Sequence, residues 1–201
     1  MDASPSPSWT SSQSRTLAVD FTWSKFQGRV TDGTGPGSQT LYTVPTSIVQ
    51  SPHLTVRSAQ KDQVIGTGTI HSFSISPDYE LHGAKGTLKA QKRFRTVYTH
   101  LSHAFSDTDR PVKMTWTSSS GFKTWDFICV DENQIAVARF AVNMWAVKKV
   151  GQIEILGPKA YDEAARDEIV VIGLTLVYCM WLRVNNPLNL VGSAFLHKDK
   201  E

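Results

Sequence analysis

The chain has 201 residues, of which 40% are hydrophobic and 19% are charged, and its formal net charge at pH 7 is +3. This length fits one domain, and the apolar fraction supports a folded core and excludes wholesale disorder. The two cysteines, Cys129 and Cys179, lie in apolar segments. That placement is typical of buried thiols and favours a reducing compartment over a secreted disulfide scaffold.

Residues 1–16 are rich in serine and proline and predict a disordered tail. They contain no continuous apolar segment, so no signal peptide is predicted and a cytoplasmic location is expected. Residues 17–40 contain Leu17, Val19 and Phe21 followed by a glycine-rich stretch, and they predict a partly ordered segment and a linker. The folded domain is predicted over residues 41–190, with a C-terminal tail over residues 191–201.

From residue 41 to about residue 158 the sequence predicts one short strand after another. β-branched and aromatic residues partly alternate with polar ones, and turn signals recur at short intervals. A hairpin is expected around Asp131–Gln134, and the glycines of "VIGTGTI" are expected at bulges or tight bends. Many short strands with closely spaced turns indicate an antiparallel sandwich or barrel.

The pattern changes after Gly157, where Glu163–Val184 predicts a helix with acidic residues at its start and Arg183 near its end. Ile169–Leu182 is apolar on every face, so lipid or protein must surround it. At about 1.5 Å per residue this stretch spans about 21 Å, which is short of the roughly 30 Å hydrocarbon layer of a bilayer. A helix enclosed by the preceding strands is therefore favoured over a single-span membrane anchor through residues 167–184.

Strands followed by one all-round apolar helix resemble the tubby-like C-terminal domain superfamily, which includes the LURP-one-related proteins and the phospholipid scramblases. The residues that carry this resemblance are "TWDFICVDENQIAVARF" (Thr124–Phe140), "KKVGQIEIL" (Lys148–Leu156) and "RDEIVVIGLTLVYCMW" (Arg166–Trp181). The resemblance implies a mainly β fold, a closed antiparallel β-barrel around a central hydrophobic C-terminal α-helix. It also implies a binding or membrane-peripheral module more often than an enzyme. Tubby proteins bind phosphoinositide headgroups through a basic pair, which has no residue-by-residue match here.

A basic segment stands out independently of the resemblance. No acidic residue lies between Glu80 and Asp107. The lysines and arginines of this interval are Lys85, Lys89, Lys92, Arg93 and Arg95. On a single strand, all of these except Lys92 would share one face and form a cationic stripe suited to phosphate oxygens. The alternative is a solvated edge strand whose lysines discourage aggregation. Nucleic acid is disfavoured because only Phe94 and Tyr98 are near enough for base stacking.

No group of residues predicts catalysis, a metal site or a cofactor. His100 and His103 are three residues apart, which places their rings on opposite faces of a strand, and they are expected to be loop or surface histidines. Cys129 lies in "FICV" and is expected to be a buried structural thiol and not a nucleophile. Trp116, Trp125, Trp145 and Trp181 are expected to pack in the core and at the barrel rim.

The sequence therefore favours a non-enzymatic binding module that attaches reversibly to anionic phospholipid or phosphoinositide through the basic strand. Such a protein would be cytoplasmic and peripheral to the membrane. The alternative is a protein-interaction or structural barrel domain that binds a protein partner and has no lipid ligand. An enzyme is the third and least favoured reading, because no acid–base or nucleophile–base pair stands out.

Overall fold

The computed structural model describes residues 13–22, 27–33, 35, 37–71, 74–91, 96–120, 124–143 and 151–185. These residues form thirteen strands and one helix. The elements are β1 (Ser14–Thr22), β2 (Gln27–Asp32), β3 (Thr40–Pro45), β4 (Leu54–Ser58), β5 (Val64–Thr69), β6 (Asp78–Leu81), β7 (Ala84–Thr87), β8 (Lys89–Ala90), β9 (Val97–Ser102), β10 (Val112–Ser120), β11 (Thr124–Val130), β12 (Ala136–Asn143), β13 (Gly151–Leu156) and α1 (Glu163–Asn185).

The strands form one antiparallel sheet in the order β7-β6-β5-β4-β3-β2-β1-β13-β12-β11-β10-β9-β8. Its two edge strands, β7 and β8, are consecutive in the chain and are separated only by Leu88. The Leu88 amide donates to the Pro77 carbonyl oxygen at 2.9 Å, and the Ala90 amide donates to Ser76 Oγ at 3.0 Å. This short segment, residues 84–90, therefore joins the two edges and nearly closes the barrel. The predicted fold class, a β-barrel with one C-terminal helix, is confirmed.

The sheet begins before the predicted domain boundary at residue 41. Strand β1 pairs with β13 on one side and with β2 on the other, so these first two strands lie in the middle of the sheet. In the glycine-rich stretch between β2 and β3, Gly33 and Gly37 have positive φ angles, which glycine adopts readily. Residues 14–16 of the predicted tail over residues 1–16 belong to β1, so that boundary is wrong. Residues 1–12 and the predicted tail over residues 191–201 lie outside the described residues.

Helix α1 lies inside the barrel. Asp162 precedes it and accepts a hydrogen bond from the Ala165 amide at 2.8 Å, as an N-cap residue does. The fully buried side chains of Ile169, Val170, Val171, Ile172 and Leu176 cover more than one face of the helix. The predicted enclosure is therefore confirmed. At about 1.5–3 kcal/mol for each large apolar side chain, this burial is a main source of stability. Among the described residues, no helix is long and apolar enough to span a bilayer.

The glycines of β5 lie within a strand and not at tight bends, and they allow the helix to approach the wall closely. The expected bulge is present beside Gly66, because the β4–β5 pairing shifts register between the Val56–Gly66 and Arg57–Val64 pairs. A Cβ atom at Gly66 would lie 2.4 Å from the Glu80 carbonyl oxygen and 2.8 Å from Val171 Cγ2. A Cβ atom at Gly68 would lie 2.4 Å from Thr175 Oγ1. Strand β5 is therefore the wall against which the middle of α1 rests most closely.

We expect Gly66→Ala to destabilise the protein by about 1–3 kcal/mol, because an overpacked core must displace either α1 or β6. Urea denaturation followed by tryptophan fluorescence measures this. Gly35→Ala is the matched control, since a Cβ atom there meets nothing within 4 Å. Equal stability of the two variants would contradict the close approach of helix and strand.

Candidate functional site

The basic segment is divided between the two edges of the sheet. Lys85 lies on β7, which pairs with β6, and Lys89 lies on β8, which pairs with β9. Both side chains are exposed, whereas Leu88 between them is fully buried. The predicted alternation of outward and inward residues is therefore present over residues 85–89, although the segment is two short strands and not the single strand expected. Lys92, Arg93 and Arg95 lie outside the described residues.

Two acidic residues lie close to Lys85 in space, although in sequence they are outside the acid-free interval. Glu80 is its cross-strand partner, and the neighbouring Asp78 accepts a hydrogen bond from the Thr87 hydroxyl at 2.6 Å. That bond and His71 hold the pKa of Asp78 below its usual value, so Asp78 is anionic at neutral pH. Lys85, Asp78 and Glu80 line one surface depression of about 630 Å³ together with Ser51 and Pro52. Two carboxylates and one ammonium group give this depression a net negative charge, so it does not favour an anion.

The cationic surface continues instead from β8 across β9 to β10. Lys89 pairs with Thr99, and Lys113 on β10 is directly opposite Leu101 on β9. Lys89 is diagonal to Leu101, a relation in which Cβ atoms are about 7–8 Å apart. Leu101, the fifth of the six residues of β9, is 60% exposed. We name Lys89, Leu101 and Lys113 the seam patch.

The two lysines of the seam patch form no ion pair within the described residues. Within the described residues, no carboxylate lies within 4.0 Å of the ammonium groups of Lys85, Lys89 or Lys113. Of the two acids in the 103–111 loop that follows β9, Asp107 contacts Lys159 at 3.8 Å. The seam patch therefore presents two unpaired cations around one exposed aliphatic side chain.

A second group of chemically active side chains lies inside the barrel at the start of α1. Glu168 is buried, and its Oε1 lies 3.0 Å from Nε2 of the buried His100. The hydroxyl of Ser102 donates to Glu168 Oε2 at 2.9 Å. Both partners are on β9, so this carboxylate fixes α1 to that strand. His100 Nδ1 has no hydrogen-bond partner within the part of the chain that is described.

Asp167 makes a corresponding set of contacts on the opposite part of the wall. Its Oδ1 accepts a hydrogen bond from the Tyr42 hydroxyl on β3, and its Oδ2 lies 3.2 Å from His82 Nε2 in the β6–β7 turn. Arg166 also donates to the Tyr42 hydroxyl. Burial, followed by the Asp167 carboxylate, raises the pKa of Tyr42 well above its ordinary value, so the phenol stays a proton donor.

These buried groups join the start of α1 to the wall of the barrel. Ser102 and His100 each make a hydrogen bond to Glu168. His100 Nε2 is therefore directed at the Glu168 carboxylate and not at the Ser102 hydroxyl, as it would be in a nucleophile–base pair. Sequence reasoning missed this cluster, since it assigned the acids at the helix start only to the helix dipole. Their partners are more than sixty residues away in the chain, and no local pattern indicates them.

The other predicted site residues are placed as follows. His100 is a buried residue of β9, so the expectation of a loop or surface histidine is wrong for it, whereas His103 is exposed. Cys129 is fully buried, as predicted, and burial raises its pKa well above that of a free thiol, which keeps it protonated. The described residues contain no group of three or more His, Cys, Asp or Glu side chains that could hold a metal ion.

The fold and these residues define a nearly closed antiparallel barrel with one enclosed helix and a basic outer patch at its seam. No family model, no curated protein and no solved structure matches the chain. The resemblance to the tubby-like superfamily therefore stays a prediction.

We expect Glu168→Ala to destabilise the protein by about 3–5 kcal/mol, because it leaves His100 and Ser102 buried without their acceptor. Urea denaturation measures the loss. Glu163→Ala is the control: its carboxylate is on the same helix but is mostly exposed, and its pair with Arg166 is worth at most about 1 kcal/mol. If the two variants lose the same stability, Glu168 does not anchor the helix.

Proposed function

We propose that the protein is a non-enzymatic binding module that attaches reversibly to anionic phospholipid surfaces through the seam patch. The observation that carries the proposal is the exposed Leu101 between the unpaired Lys89 and Lys113. An aliphatic side chain can enter the interfacial layer of a bilayer while the two ammonium groups remain at the level of the lipid phosphates.

The energetics of this surface favour weak, reversible attachment. Each lysine close to an anionic leaflet contributes about 1 kcal/mol, and this attraction is reduced by salt. Lysine acts as a compact point charge, whereas stereospecific recognition of one phosphate usually uses the arginine fork. The described surface therefore supports general recognition of anionic lipid. A preference for phosphoinositide, as the tubby-like resemblance implies, would depend on Arg93 and Arg95, which lie outside the described residues.

The internal polar groups support the non-enzymatic part of the proposal. Glu168, His100 and Ser102 are each less than 5% exposed and are bonded to one another. Asp167 is similarly buried and is occupied by Tyr42 and His82. A substrate would have to displace α1 to reach them. The competing proposal, a barrel that docks an acidic protein surface, uses the same lysines and is distinguished by experiment.

We expect Lys89→Glu/Lys113→Glu to bind vesicles of phosphatidylcholine and phosphatidylserine at least tenfold more weakly than the wild-type protein does, because each reversal changes the local charge by two. Co-sedimentation at low and physiological salt measures the affinity, and raising the salt concentration should weaken wild-type binding. Replacing phosphatidylserine by a phosphoinositide tests headgroup preference.

The matched control is Lys61→Glu/Lys159→Glu, which makes the same change of net charge at residues outside the seam patch. This control should retain most of the binding. Loss of binding in both double variants would mean that net charge alone attracts the protein, and the seam patch would be wrong. No binding of the wild-type protein to any anionic vesicle would overturn the lipid proposal and favour a protein partner.

A further inference from the structure

A second apolar feature lies at the other end of α1, where the helix finishes. A partly enclosed cavity of about 50 Å³ separates the helix from strands β1 to β4 and β12. Its lining is mostly hydrocarbon, and the lining residues with polar side-chain atoms are Thr46, Tyr178 and Trp181. The Tyr178 hydroxyl is already used, because it donates to the Ser47 carbonyl oxygen at 3.1 Å. The cavity therefore excludes a charged or strongly polar ligand.

The loop beside this cavity exposes aliphatic side chains. Thr46 and Leu54, at the two ends of the β3–β4 loop, line the cavity. Between them, Ile48 is 47% exposed and Val49 is 88% exposed. The tip is held in place, because Ser47 Oγ accepts hydrogen bonds from the Val49 amide at 3.3 Å and the Gln50 amide at 2.9 Å. Within the described residues, the side chains of these two neighbouring aliphatic residues are therefore largely uncovered.

The position of this loop relates it to a membrane surface. Ile48 and Val49 expose their aliphatic side chains at the tip of this loop, on the side of the barrel where α1 ends. On the other side of the cavity, the partly exposed Trp181 is stacked on the buried Tyr178, with the ring centroids 5.7 Å apart. Tryptophan is enriched where proteins meet the bilayer interface, and exposed aliphatic side chains can enter its apolar layer.

We propose that this cavity takes the end of a single hydrocarbon chain of a membrane phospholipid, and that Ile48 and Val49 enter the bilayer beside it. The cavity has room for about three or four water-sized groups, and an apolar cavity of this kind is unfavourable for water. The terminal methyl and a few methylene groups of one acyl chain match both its size and its lining. This inference rests on the proposed function, since it supplies a hydrophobic component of the same membrane attachment.

The first test measures attachment. Val49→Ser should bind phosphatidylcholine–phosphatidylserine vesicles about tenfold more weakly, which corresponds to losing one buried valine side chain from the bilayer. Val64→Ser is the matched control, because Val64 is an exposed valine of β5 at the opposite end of the barrel, 40% exposed. If Val49→Ser binds the vesicles as tightly as the wild-type protein does, the loop does not enter the bilayer. That result would overturn this inference even if Lys89→Glu/Lys113→Glu loses binding as proposed above.

The second test reports on the cavity itself. Vesicles whose phospholipids carry bromine in the acyl chain should quench the fluorescence of Trp181, and Trp181→Phe should lose that part of the quenching. Val177→Phe, which fills the cavity, should lose it too, and it should bind the vesicles more weakly than the wild-type protein does, through the seam patch and the loop. If Val177→Phe proves unstable, the comparison of wild type with Trp181→Phe remains decisive. Vesicle binding with no quenching that depends on Trp181 would overturn the acyl-chain site.

A third arm separates this inference from the proposed function. A brominated fatty acid added without vesicles should quench the wild-type protein and Lys89→Glu/Lys113→Glu equally, because the seam patch does not line the cavity. If the free fatty acid quenches Trp181 but the protein does not bind vesicles, the cavity takes a hydrocarbon chain, and the proposal that this chain comes from a membrane phospholipid is wrong. Absence of quenching in both arms would reject a hydrocarbon ligand.

Discussion

The constraint on which the rest of the structure depends is that α1 is apolar around its whole circumference and must be enclosed. A helix with one apolar stripe can lie against the outside of a sheet, but α1 cannot. The sheet therefore curves around it until its first and last strands in spatial order, β7 and β8, are joined through Leu88. Close packing sets the distance between helix and wall, and it is smallest at β5, where Gly66 and Gly68 have no side chains to intervene.

Hydrophobic burial explains why the helix is inside but not how it is aligned with the strands. Asp167 and Glu168 provide that alignment. Asp167 accepts a hydrogen bond from a residue of β3, and Glu168 is hydrogen-bonded to two residues of β9, so both sets of bonds form only at one position of the helix. Burying two carboxylates carries a desolvation cost of several kcal/mol each, which their hydrogen bonds offset only in one arrangement. We infer that the two acids act mainly to select one depth and rotation of α1 inside the barrel, while the apolar side chains supply the stability.

The sequence predicts those elements that depend on short segments of the chain. The helix, its enclosure and the hairpin around Asp131–Gln134 could be predicted, because apolar periodicity and turn residues are properties of short segments. The pairing of β1 with β13 could not, since its partners are over one hundred residues apart. The same limit applies to the candidate site. The sequence identifies Lys89 as a basic residue, but its position relative to Leu101 and Lys113 depends on strand register. Likewise, Glu80 lies opposite Lys85 only because β6 pairs with β7, and the spacing of charges along the chain does not show this.

The central claim, that α1 is enclosed by the barrel and held at its first turns by buried acids, is tested most directly by native-state hydrogen–deuterium exchange with peptide-level mass spectrometry. The account predicts that amides in the middle of α1 exchange only when the whole protein unfolds, with the same free energy of opening as β1 and β13. Addition of anionic vesicles should not lower the protection of α1, because a surface that binds only the folded protein can only raise the free energy of global opening. Exchange of α1 well before the strands, or a loss of its protection on vesicles, would contradict an enclosed helix and indicate that it leaves the barrel.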